Sequence, residues 1–558
     1  MAHPRTSSHS SNTLAVLAAS QLSHDRGGRP LLDNISLTVG PQSRVGVIGP
    51  NGVGKSTLLQ LLAGLERPDS GTITVDPPGA TVGYLAQEHE RRDRETVRDA
   101  LARRTGVLDA EHELMAAASD LASNSASAND RYARALARYE SLGADTFDAR
   151  LATVLSEFEL RPELADSETA TLSGGQEAKV ALAAIELSRF DIVMLDEPTN
   201  DLDFDGLARL EAWVRQREGG TVIVSHDREF LERTVETVFE IDEHSRTARS
   251  FAGGWAGYQS ERANAERLAQ ERFEEYQRTR DQLSSRAQRQ RQWADVGVRK
   301  EVKNPRDHDK AQRDFRINRT ENLAHKARQT ERAIENLEVV EKPFDGWDLR
   351  FSISEARRSG NVVVQLVGAV VARPNFQLGP VDLEINWGDR MALTGTNGSG
   401  KSTLVSALLA TVDLTSGTQR MGPSVVTGVL GQDRRALGAD HDLASYVQER
   451  SGLTKSETRT VLAKFGLGAE QVTRRTVSLS PGERTRAELA IFQALGVNFL
   501  VLDEPTNHLD LPAIEQLESA LRDFAGTLLL VTHDRRLLDA VAITRSIELK
   551  DGVATEQR

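Results

Sequence analysis

The chain contains no cysteine among its 558 residues. Without thiols it cannot form disulfides, thiolate zinc sites or iron–sulfur clusters. It also has no run that approaches about 18 consecutive apolar residues, so we expect no membrane-spanning helix. Residues 1–13 contain no apolar stretch of the signal-peptide type and are expected to form a disordered polar tail. These absences indicate a cytoplasmic protein, and its length predicts about three or four domains.

Two similar glycine-rich motifs are present, one in each half of the chain. Each follows a short apolar run and leads into a helical pattern, which is the context of a phosphate-binding P-loop. The glycines let backbone N–H groups turn toward the β- and γ-phosphates of ATP, and the lysine adds a positive charge. The serine hydroxyls, Ser56 and Ser402, can ligate Mg²⁺. The predicted ATP-binding residues are Gly49, Pro50, Asn51, Gly52, Val53, Gly54, Lys55, Ser56 and Thr57, and Gly395, Thr396, Asn397, Gly398, Ser399, Gly400, Lys401, Ser402 and Thr403.

Each half next contains an apolar run that ends in two acidic residues. Asp196 and Glu197 end the first run, and Asp503 and Glu504 end the second. At the end of a buried strand, the first carboxylate can hold Mg²⁺ through water, and the second can orient or deprotonate the water that attacks the γ-phosphate. Solvated acids at a strand end are the alternative, but a P-loop in the same half favours the catalytic interpretation.

Further polar landmarks recur at matching offsets. His226 and His533 each lie 30 residues after the first acidic residue of their half. A single histidine is more often structural than catalytic, whereas one repeated at the same offset is a candidate for contact with the γ-phosphate. Gln87 and Gln432, which lie 32 and 31 residues after the P-loop lysines, are predicted to sense Mg²⁺ and the attacking water.

One segment breaks the match between the halves. Gln87 precedes Ser173 by 86 residues, whereas Gln432 precedes Ser480 by 48 residues, so the first half carries about 38 additional residues. They lie within residues 97–155, where alanine-rich helical patterns flank a polar loop. This pattern predicts a small helical arm.

The segment between the halves, residues 258–344, has a charge distribution of its own. Eleven Lys or Arg and five Asp or Glu lie between Arg286 and Arg319, a local balance of +6 in a chain of net charge −13. A basic patch on an acidic protein indicates a polyanionic partner, and a cytosolic ATPase meets the RNAs of the ribosome most often. A solvated charged spacer is the alternative. The predicted RNA-binding residues are Arg289, Arg291, Arg299, Lys300, Lys303 and Arg306.

This middle segment is predicted to form two long helices, at about 257–293 and 309–339, that pack against each other. Val296-Gly297-Val298 and Asn304-Pro305 interrupt the helical pattern and are predicted to form the turn. A helix of this length reaches roughly 55 Å. The pair would therefore carry its basic turn well away from its base.

Two short motifs resemble the signature of ATP-binding cassette (ABC) proteins. They are Leu172-Ser173-Gly174-Gly175-Gln176 and a variant, Leu479-Ser480-Pro481-Gly482-Glu483. In that family the signature binds the γ-phosphate of the nucleotide held by the opposite cassette, which assigns ATP binding to Ser173, Gly174, Gly175, Gln176, Ser480, Gly482 and Glu483. The resemblance implies two composite sites, so that ATP would join the cassettes and hydrolysis would release them. The facing sets would be Lys55, Asp196 and Glu197 with Ser480 and Gly482, and Lys401, Asp503 and Glu504 with Ser173, Gly174 and Gly175.

Nearly the whole chain is similar to the ABC-F subfamily. Two fused cassettes, an arm in the first and a charged helical linker of about 85 residues are its layout, and the segments 139–143 and 253–258 resemble its arm exit and linker entry. The implied fold class is α/β: two P-loop ABC cassettes, each with a mixed α/β core and a helical subdomain, joined by a long α-helical hairpin. The implied bounds are 14–257 for the first cassette, 258–344 for the linker and 345–557 for the second cassette.

The resemblance also implies a function. ABC-F proteins use ATP and Mg²⁺, bind the exit (E) site of the ribosome beside 23S rRNA, and extend the linker toward the P-site tRNA and the peptidyl transferase centre. In many members this displaces antibiotics, and in others it tunes translation. We expect an ATPase that protects ribosomes against antibiotics, acting as a monomer whose cassettes close on each other. Housekeeping control of translation and the ATP-binding subunit of a membrane transporter are the alternatives.

The chain departs from the subfamily pattern in three places. Pro481 replaces the glycine of the second signature and lacks a backbone donor. Asp201 stands where the second half has His508. No aromatic residue is evident near Arg26 or Ala372, where the adenine base is expected to stack. We therefore expect the two ATP sites to differ.

Overall fold

A computed structural model describes residues 15–86, 94–121, 125–172, 174–200, 202–303, 325–326, 328–337, 340, 358, 360–373, 376–431, 441–507 and 509–557. The chain divides into two compact units. One comprises residues 1–257 and 347–558 and contains both P-loops, and the other comprises residues 258–346 and contains the basic segment.

The first half of the chain alternates strands and helices. Its strands are β1 (Val16–Arg26), β2 (Arg29–Val39), β3 (Arg44–Ile48), β4 (Ser70–Asp76), β5 (Val82–Leu85), β6 (Ile192–Asp196), β7 (Gly220–Val224), β8 (Thr237–Ile241) and β9 (Ala248–Ala252). Its helices are α1 (Lys55–Leu62), α2 (Val97–Arg104), α3 (Val107–Asp120), α4 (Ala126–Ser141), α5 (Phe147–Glu157), α6 (Gly174–Leu187), α7 (Phe204–Gln216) and α8 (Arg228–Thr234), and α9 (Gly254–Lys303) follows.

The second half repeats this order. Its strands are β10 (Val362–Arg373), β11 (Phe376–Asn386), β12 (Arg390–Thr394), β13 (Ser416–Met421), β14 (Thr427–Leu430), β15 (Phe499–Asp503), β16 (Thr527–Val531), β17 (Arg545–Lys550) and β18 (Val553–Gln557). Its helices are α10 (Lys401–Leu408), α11 (Leu443–Ser451), α12 (Lys455–Lys464), α13 (Ala469–Thr473), α14 (Pro481–Leu495), α15 (Leu511–Asp523) and α16 (Arg535–Ala540).

Each half builds a six-stranded sheet with parallel central strands. The strand orders are β5-β6-β7-β3-β8-β9 and β14-β15-β16-β12-β17-β18, with an antiparallel strand at one edge of each sheet. Strands β6 and β15 are apolar without alternation because both faces of a parallel sheet are covered. Each P-loop follows the strand β3 or β12, so its residues lie at the carboxyl ends of the strands, where α/β proteins bind ligands.

A three-stranded antiparallel sheet completes each core. Its orders are β2-β1-β4 and β11-β10-β13. In the first half, one buried cluster joins Leu17 and Val39 of this sheet with Val47 of β3 and Leu58 of α1. Burial of each such side chain contributes about 1.5–3 kcal/mol. The P-loop is thus anchored between two sheets, and the predicted α/β fold class with two cassettes is confirmed.

The additional residues of the first half form the paired helices α3 and α4. Arg138 Nη1 lies 3.1 Å from Glu113 Oε2 across this pair. The flanking helices α2 and α5 correspond to α11 and α12, because each half starts this region with a capped helix and a bridge to residue 168 or 475. In the second half, residues 452–454 alone separate the two helices. The extra hairpin lies inside the predicted arm segment, 97–155.

The helix α9 corrects the prediction for the middle of the chain. It continues through Val296-Gly297-Val298, where a turn was predicted, and runs for 50 residues. One glycine costs a helix only about 1 kcal/mol relative to alanine, which is too little to break a helix of this length. The helix ends at Lys303, directly before Asn304-Pro305, because the residue before a proline disfavours the helical conformation.

Within the second unit, α9 pairs with a second helical segment, residues 328–335. The Thr330 hydroxyl donates to Gln290 Oε1 at 3.0 Å, and both side chains are about 8 % exposed. Arg291 Nε lies 2.6 Å from Glu331 Oε1, so this predicted RNA-binding residue has an acidic neighbour within the hairpin. Arg289, Arg299, Lys300 and Lys303 lie on α9, whereas Arg306 and the predicted start of the second helix lie outside the described residues.

Candidate nucleotide sites between the cassettes

Both P-loops lead directly into a helix. Helices α1 and α10 begin at the P-loop lysines, and the preceding Gly54 and Gly400 have φ angles of 110° and 103°. This region suits glycine, and at Gly400 a Cβ atom would also meet the Phe376 ring at 2.4 Å. The N–H groups of the first helical turn have no partner within their helix, which makes this position suited to phosphate.

The P-loop lysines fold over their own loops. Lys55 Nζ donates to the carbonyl oxygens of Gly49 and Pro50 at 2.8 and 3.2 Å. In the second half, Lys401 Nζ makes the equivalent bonds at 2.7 and 3.2 Å. Burial lowers the pKa of both lysines, and nearby carboxylates oppose that shift. A bound phosphate would supply the negative charge that these buried ammonium groups need.

Asp196 has the environment that a magnesium ligand requires. Its Oδ2 accepts a hydrogen bond from the Tyr84 hydroxyl at 2.8 Å, and its buried Oδ1 has no hydrogen-bond partner among the described residues. In the second half, Asp503 Oδ2 lies 3.5 Å from the Ser402 hydroxyl. Burial raises the pKa of Asp503, and Lys401 opposes this. A serine hydroxyl beside a carboxylate is a donor set that fits Mg²⁺, which is bound through one or two protein oxygens together with waters and phosphates.

Glu197 and Glu504 share an uncommon backbone conformation. Their φ angles are 48° and 46°, in the left-handed region that costs a residue with a side chain about 1–3 kcal/mol. Each is held there by its N–H, which donates to Val224 O at 2.9 Å or to Val531 O at 2.8 Å. Burial raises the pKa of Glu197 to about 7, and Lys55 opposes this shift. Strain at the same position in both halves indicates a functional requirement.

The two histidines lie beside these glutamates. His226 Nε2 is 3.2 Å from Glu197 Oε1, and His533 Nε2 is 3.6 Å from Glu504 Oε1. Burial lowers the pKa of both imidazoles, to about 4 for His533. Both rings are therefore neutral at pH 7 and suited to donate or accept a single hydrogen bond.

Asp203 and Asp510 connect the two cassettes. One oxygen of each carboxylate caps its own helix, accepting from a first-turn N–H at 2.9 and 3.2 Å. The other oxygen accepts from the P-loop of the opposite cassette, Asp203 from Asn397 N at 2.9 Å and Asp510 from Asn51 N at 3.1 Å. Each P-loop is thus positioned in part by the other cassette.

Two ion pairs also cross between the cassettes. Arg228 forms a bidentate pair with Glu518, and both side chains are 10 % exposed. The related pair joins Arg535 Nη1 to Glu211 Oε1 at 3.4 Å, with the arginine 28 % exposed. Each arginine lies two residues after its histidine, so contact between the cassettes extends to the histidine loops.

The first signature faces the second P-loop. A Cβ atom on Gly175 would lie 3.3 Å from the backbone carbonyl of Asn397. Both residues line a cavity of about 940 Å³ that also reaches Lys401 and Glu504. Gly174 and Gln176 lie in the first turn of α6, while Ser173, Gln87, Gln432, Asp201 and His508 lie outside the described residues.

The second signature forms a helix cap. The Ser480 hydroxyl accepts from Glu483 N at 3.2 Å, and the Glu483 carboxylate accepts from Ser480 N at 2.8 Å and pairs with Arg474. Pro481 occupies the first position of α14, where a backbone N–H has no partner in the helix, so the proline costs α14 no bond. Glu483, predicted to bind ATP, therefore has a structural use.

Three aromatic residues at these sites were not predicted. Phe376 lines the cavity at the start of β11, four residues after Ala372, where no aromatic was evident. The ring of Phe204 meets that of His533 edge to face, with centroids 5.0 Å apart. Tyr84 bonds Asp196, as described above. An aromatic residue next to a predicted site residue or strand end was the available sequence signal.

The chain was compared with known families and proteins. Residues 32–200 and 378–507 match the family described as ABC transporter. The tylosin resistance ATP-binding protein TlrC of Streptomyces fradiae is 35% identical over 95% of this chain and 96% of its own length. The energy-dependent translational throttle protein EttA of Mycobacterium tuberculosis is 28% identical over 92% of this chain and 88% of its own length.

Among solved structures, one described as RNase-L Inhibitor has the same fold. It superposes with a TM-score of 0.56 at 17% identity and covers 96% of this chain and 90% of that chain. Among the residues that the model describes, no helix is long and apolar enough to cross a membrane. From the family match, the full-length relatives and the tandem fold together, the chain belongs to the ABC transporter family and, within it, to the ABC-F subfamily.

Proposed function

We propose that the chain hydrolyses ATP at two composite sites between its cassettes and that its closed, ATP-bound form binds the ribosome. The observation that carries the first part is the reciprocal contact between the P-loops and Asp203 and Asp510 of the opposite cassettes. A nucleotide bound at either P-loop would therefore contact a surface to which both cassettes contribute.

The residues divide the chemistry between them. Lys55 and Lys401 bind the phosphates, and bound Mg²⁺, held by the Asp and Ser side chains of each half, would neutralise charge on the β- and γ-oxygens. Glu197 and Glu504 orient the attacking water and accept its proton. The neutral histidines donate a hydrogen bond to the γ-phosphate.

The first-turn amides of α6 and α14 complete the two phosphate sites from the opposite cassette. Because these amides contact the γ-phosphate and cannot reach ADP in the same way, hydrolysis would weaken the closed form. ATP occupancy thereby controls whether the two cassettes hold together.

The ribosomal part rests on relatives that match the chain along its full length. One is named for tylosin resistance and another for control of translation. We place the protein in the cytoplasm, at the E site beside 23S rRNA, with its linker directed to the P-site tRNA and the peptidyl transferase centre. Protection against antibiotics is the favoured outcome because the resistance protein is the more similar of these two relatives, and control of translation is the second candidate.

Sedimentation through a sucrose cushion tests this proposal. Purified ribosomes should retain the Glu197→Gln/Glu504→Gln variant with ATP and release it with ADP. A variant that binds ATP normally but never pellets with ribosomes would contradict the proposal, and recovery with membranes would support the transporter alternative. Deletion of the gene should increase sensitivity to macrolides, lincosamides or pleuromutilins if protection is the outcome.

The linker is tested by charge reversal at Arg299, Lys300, Lys303 and Arg306. We expect weaker ribosome binding and unchanged ATPase activity in the absence of ribosomes, because removal of phosphate contacts weakens binding and reduces its dependence on salt. Reversal at Arg272, Arg278 and Arg280, which lie nearer the start of the same helix, is the matched control. Equal effects from both sets would return the linker to a solvated spacer.

A further inference from the structure

The first cassette contains a chain of hydrogen bonds that ends on Asp196. The Tyr84 hydroxyl donates to Asp196 Oδ2 at 2.8 Å, and the side chain of Gln60 hydrogen-bonds the same hydroxyl. Two amide hydrogens on Gln60 make it the donor in that second bond. The chain therefore runs from Gln60 through Tyr84 to one oxygen of the carboxylate.

Strand register and helix spacing place these residues. Tyr84 pairs with Met194 across the parallel strands β5 and β6, so its side chain is a diagonal neighbour of Asp196 on the same face. Gln60 follows Ser56 by four residues on α1, which puts both on one face of that helix. The bonded chain thus lies directly beside both protein groups proposed to hold Mg²⁺.

The second cassette has a different arrangement at the equivalent positions. Val429 occupies the position of Tyr84 on β14, and Ser406 occupies that of Gln60 on α10. The Ser406 hydroxyl donates to the backbone carbonyl of Ser402 at 2.7 Å. Neither side chain can supply Asp503 with the bond that Asp196 receives.

We propose that Tyr84 and Gln60 are positioning residues that fix the Asp196 carboxylate and make the first nucleotide site the tighter Mg²⁺ site of the two. This inference rests on the proposed ATPase function. With Oδ2 fixed by Tyr84, Oδ1 remains to receive a metal-bound water, and the carboxylate loses little further freedom when the metal binds. Removal of such supporting partners typically costs 10–100-fold in metal affinity.

The test measures metal affinity instead of turnover. Mn²⁺ serves as the probe, and its binding with ATP is titrated by electron paramagnetic resonance in Glu197→Gln/Lys401→Ala protein, in which the first site is intact for nucleotide. Adding Tyr84→Phe should weaken Mn²⁺ binding roughly 10-fold, and Gln60→Leu should weaken it less. Metal-free ATP binding should not change.

Transplanting the pair supplies the matched control. In Glu504→Gln/Lys55→Ala protein, Val429→Tyr with Ser406→Gln should tighten Mn²⁺ binding at the second site. Unchanged or tighter binding in the Tyr84→Phe protein, with its thermal midpoint preserved, overturns the inference. Loss of ATP binding by the parent proteins would instead count against the proposed ATPase function, so the two failures can be told apart.

Discussion

The two nucleotide sites contain the same reactive residues in different surroundings. In the first site Tyr84 holds Asp196, whereas in the second the Ser402 hydroxyl lies beside Asp503. The second site has two aromatic neighbours, Phe376 on its wall and Phe204 against its histidine. Duplication thus preserved the groups that act on ATP and allowed the residues that position them to diverge.

The contacts between the cassettes differ in the same way. The Arg228–Glu518 pair is bidentate and nearly buried, whereas the related Arg535–Glu211 pair is longer and more exposed. Because a buried charge depends strongly on its partner, the two pairs should not contribute equally to closure. The comparison predicts that equivalent substitutions will have unequal effects.

The largest effect is expected from the glutamates. Glu197→Gln/Glu504→Gln should bind ATP normally and lose at least about 100-fold in steady-state ATPase rate, because both proton acceptors are removed. Each single variant measures the share of one site, since its other glutamate remains. ATPase assays with single and double variants, together with filter binding of ATP, check this. Normal hydrolysis by the double variant would remove both glutamates from their assigned role.

The buried ion pair should come next. Arg228→Ala leaves Glu518 buried without its guanidinium, which costs roughly 3–5 kcal/mol. We expect ATP-dependent closure, followed by fluorescence transfer between labelled cassettes, to require far more ATP. Arg535→Ala should have a smaller effect because Arg535 is 28 % exposed. Equal effects of the two substitutions would remove the proposed difference, and Arg228→Ala/Glu518→Ala should restore part of the loss.

A smaller effect is expected from the ring beside His533. Phe204→Leu removes an edge-to-face contact worth about 0.5–1.5 kcal/mol, so turnover at the second site should fall up to roughly tenfold. The measurement uses Glu197→Gln protein, in which the second glutamate alone is present. Leu511→Phe, at the related position in the second cassette, is the control and should leave that turnover unchanged. An unaltered rate in Phe204→Leu would show that the ring does not position His533.

The smallest effect concerns pH. Burial raises the pKa of Asp534 to about 6, with Asp227 adding to the shift and Arg228 opposing it. The ionised carboxylate is therefore costly above pH 6, and this cost disappears as the pH falls toward 4. Asp534→Asn keeps the helix cap and should raise the thermal midpoint by a few degrees at pH 8, on the order of 2 kcal/mol, but not at pH 4.

The exposed Asp539, on the same helix, gives the control for that comparison. Asp539→Asn should not change the midpoint at either pH. A gain from Asp534→Asn that is equal at pH 8 and pH 4 would show that the charge of Asp534 is not its source.

The reactive residues were predictable because each belongs to a local pattern. The P-loops, Asp196, Glu197 and His226 follow apolar runs, and the repeat supports each assignment. The residues that position them depend on contacts between distant segments. Arg228 and Glu518 are 290 residues apart, and no local pattern identifies them as partners.

The linker shows the opposite error. Its predicted turn relied on Gly297, a local signal, but the cost of one glycine is small against the hydrogen bonds of a 50-residue helix. Tyr84 was missed for a related reason, since its bond to Asp196 follows from strand register across 112 positions. Local signals identify the chemistry here, whereas long-range geometry determines how it is supported.

The hairpin of α3 and α4 shows how such a protein can gain a part. It enters and leaves the fold between two helices whose counterparts in the second cassette are separated by Gly452, Leu453 and Thr454 alone. The unmodified half of the molecule therefore supplies the blueprint for excising the hairpin or exchanging it with that of a relative. Evolution and protein engineering can use the same splice point without rebuilding the nucleotide sites.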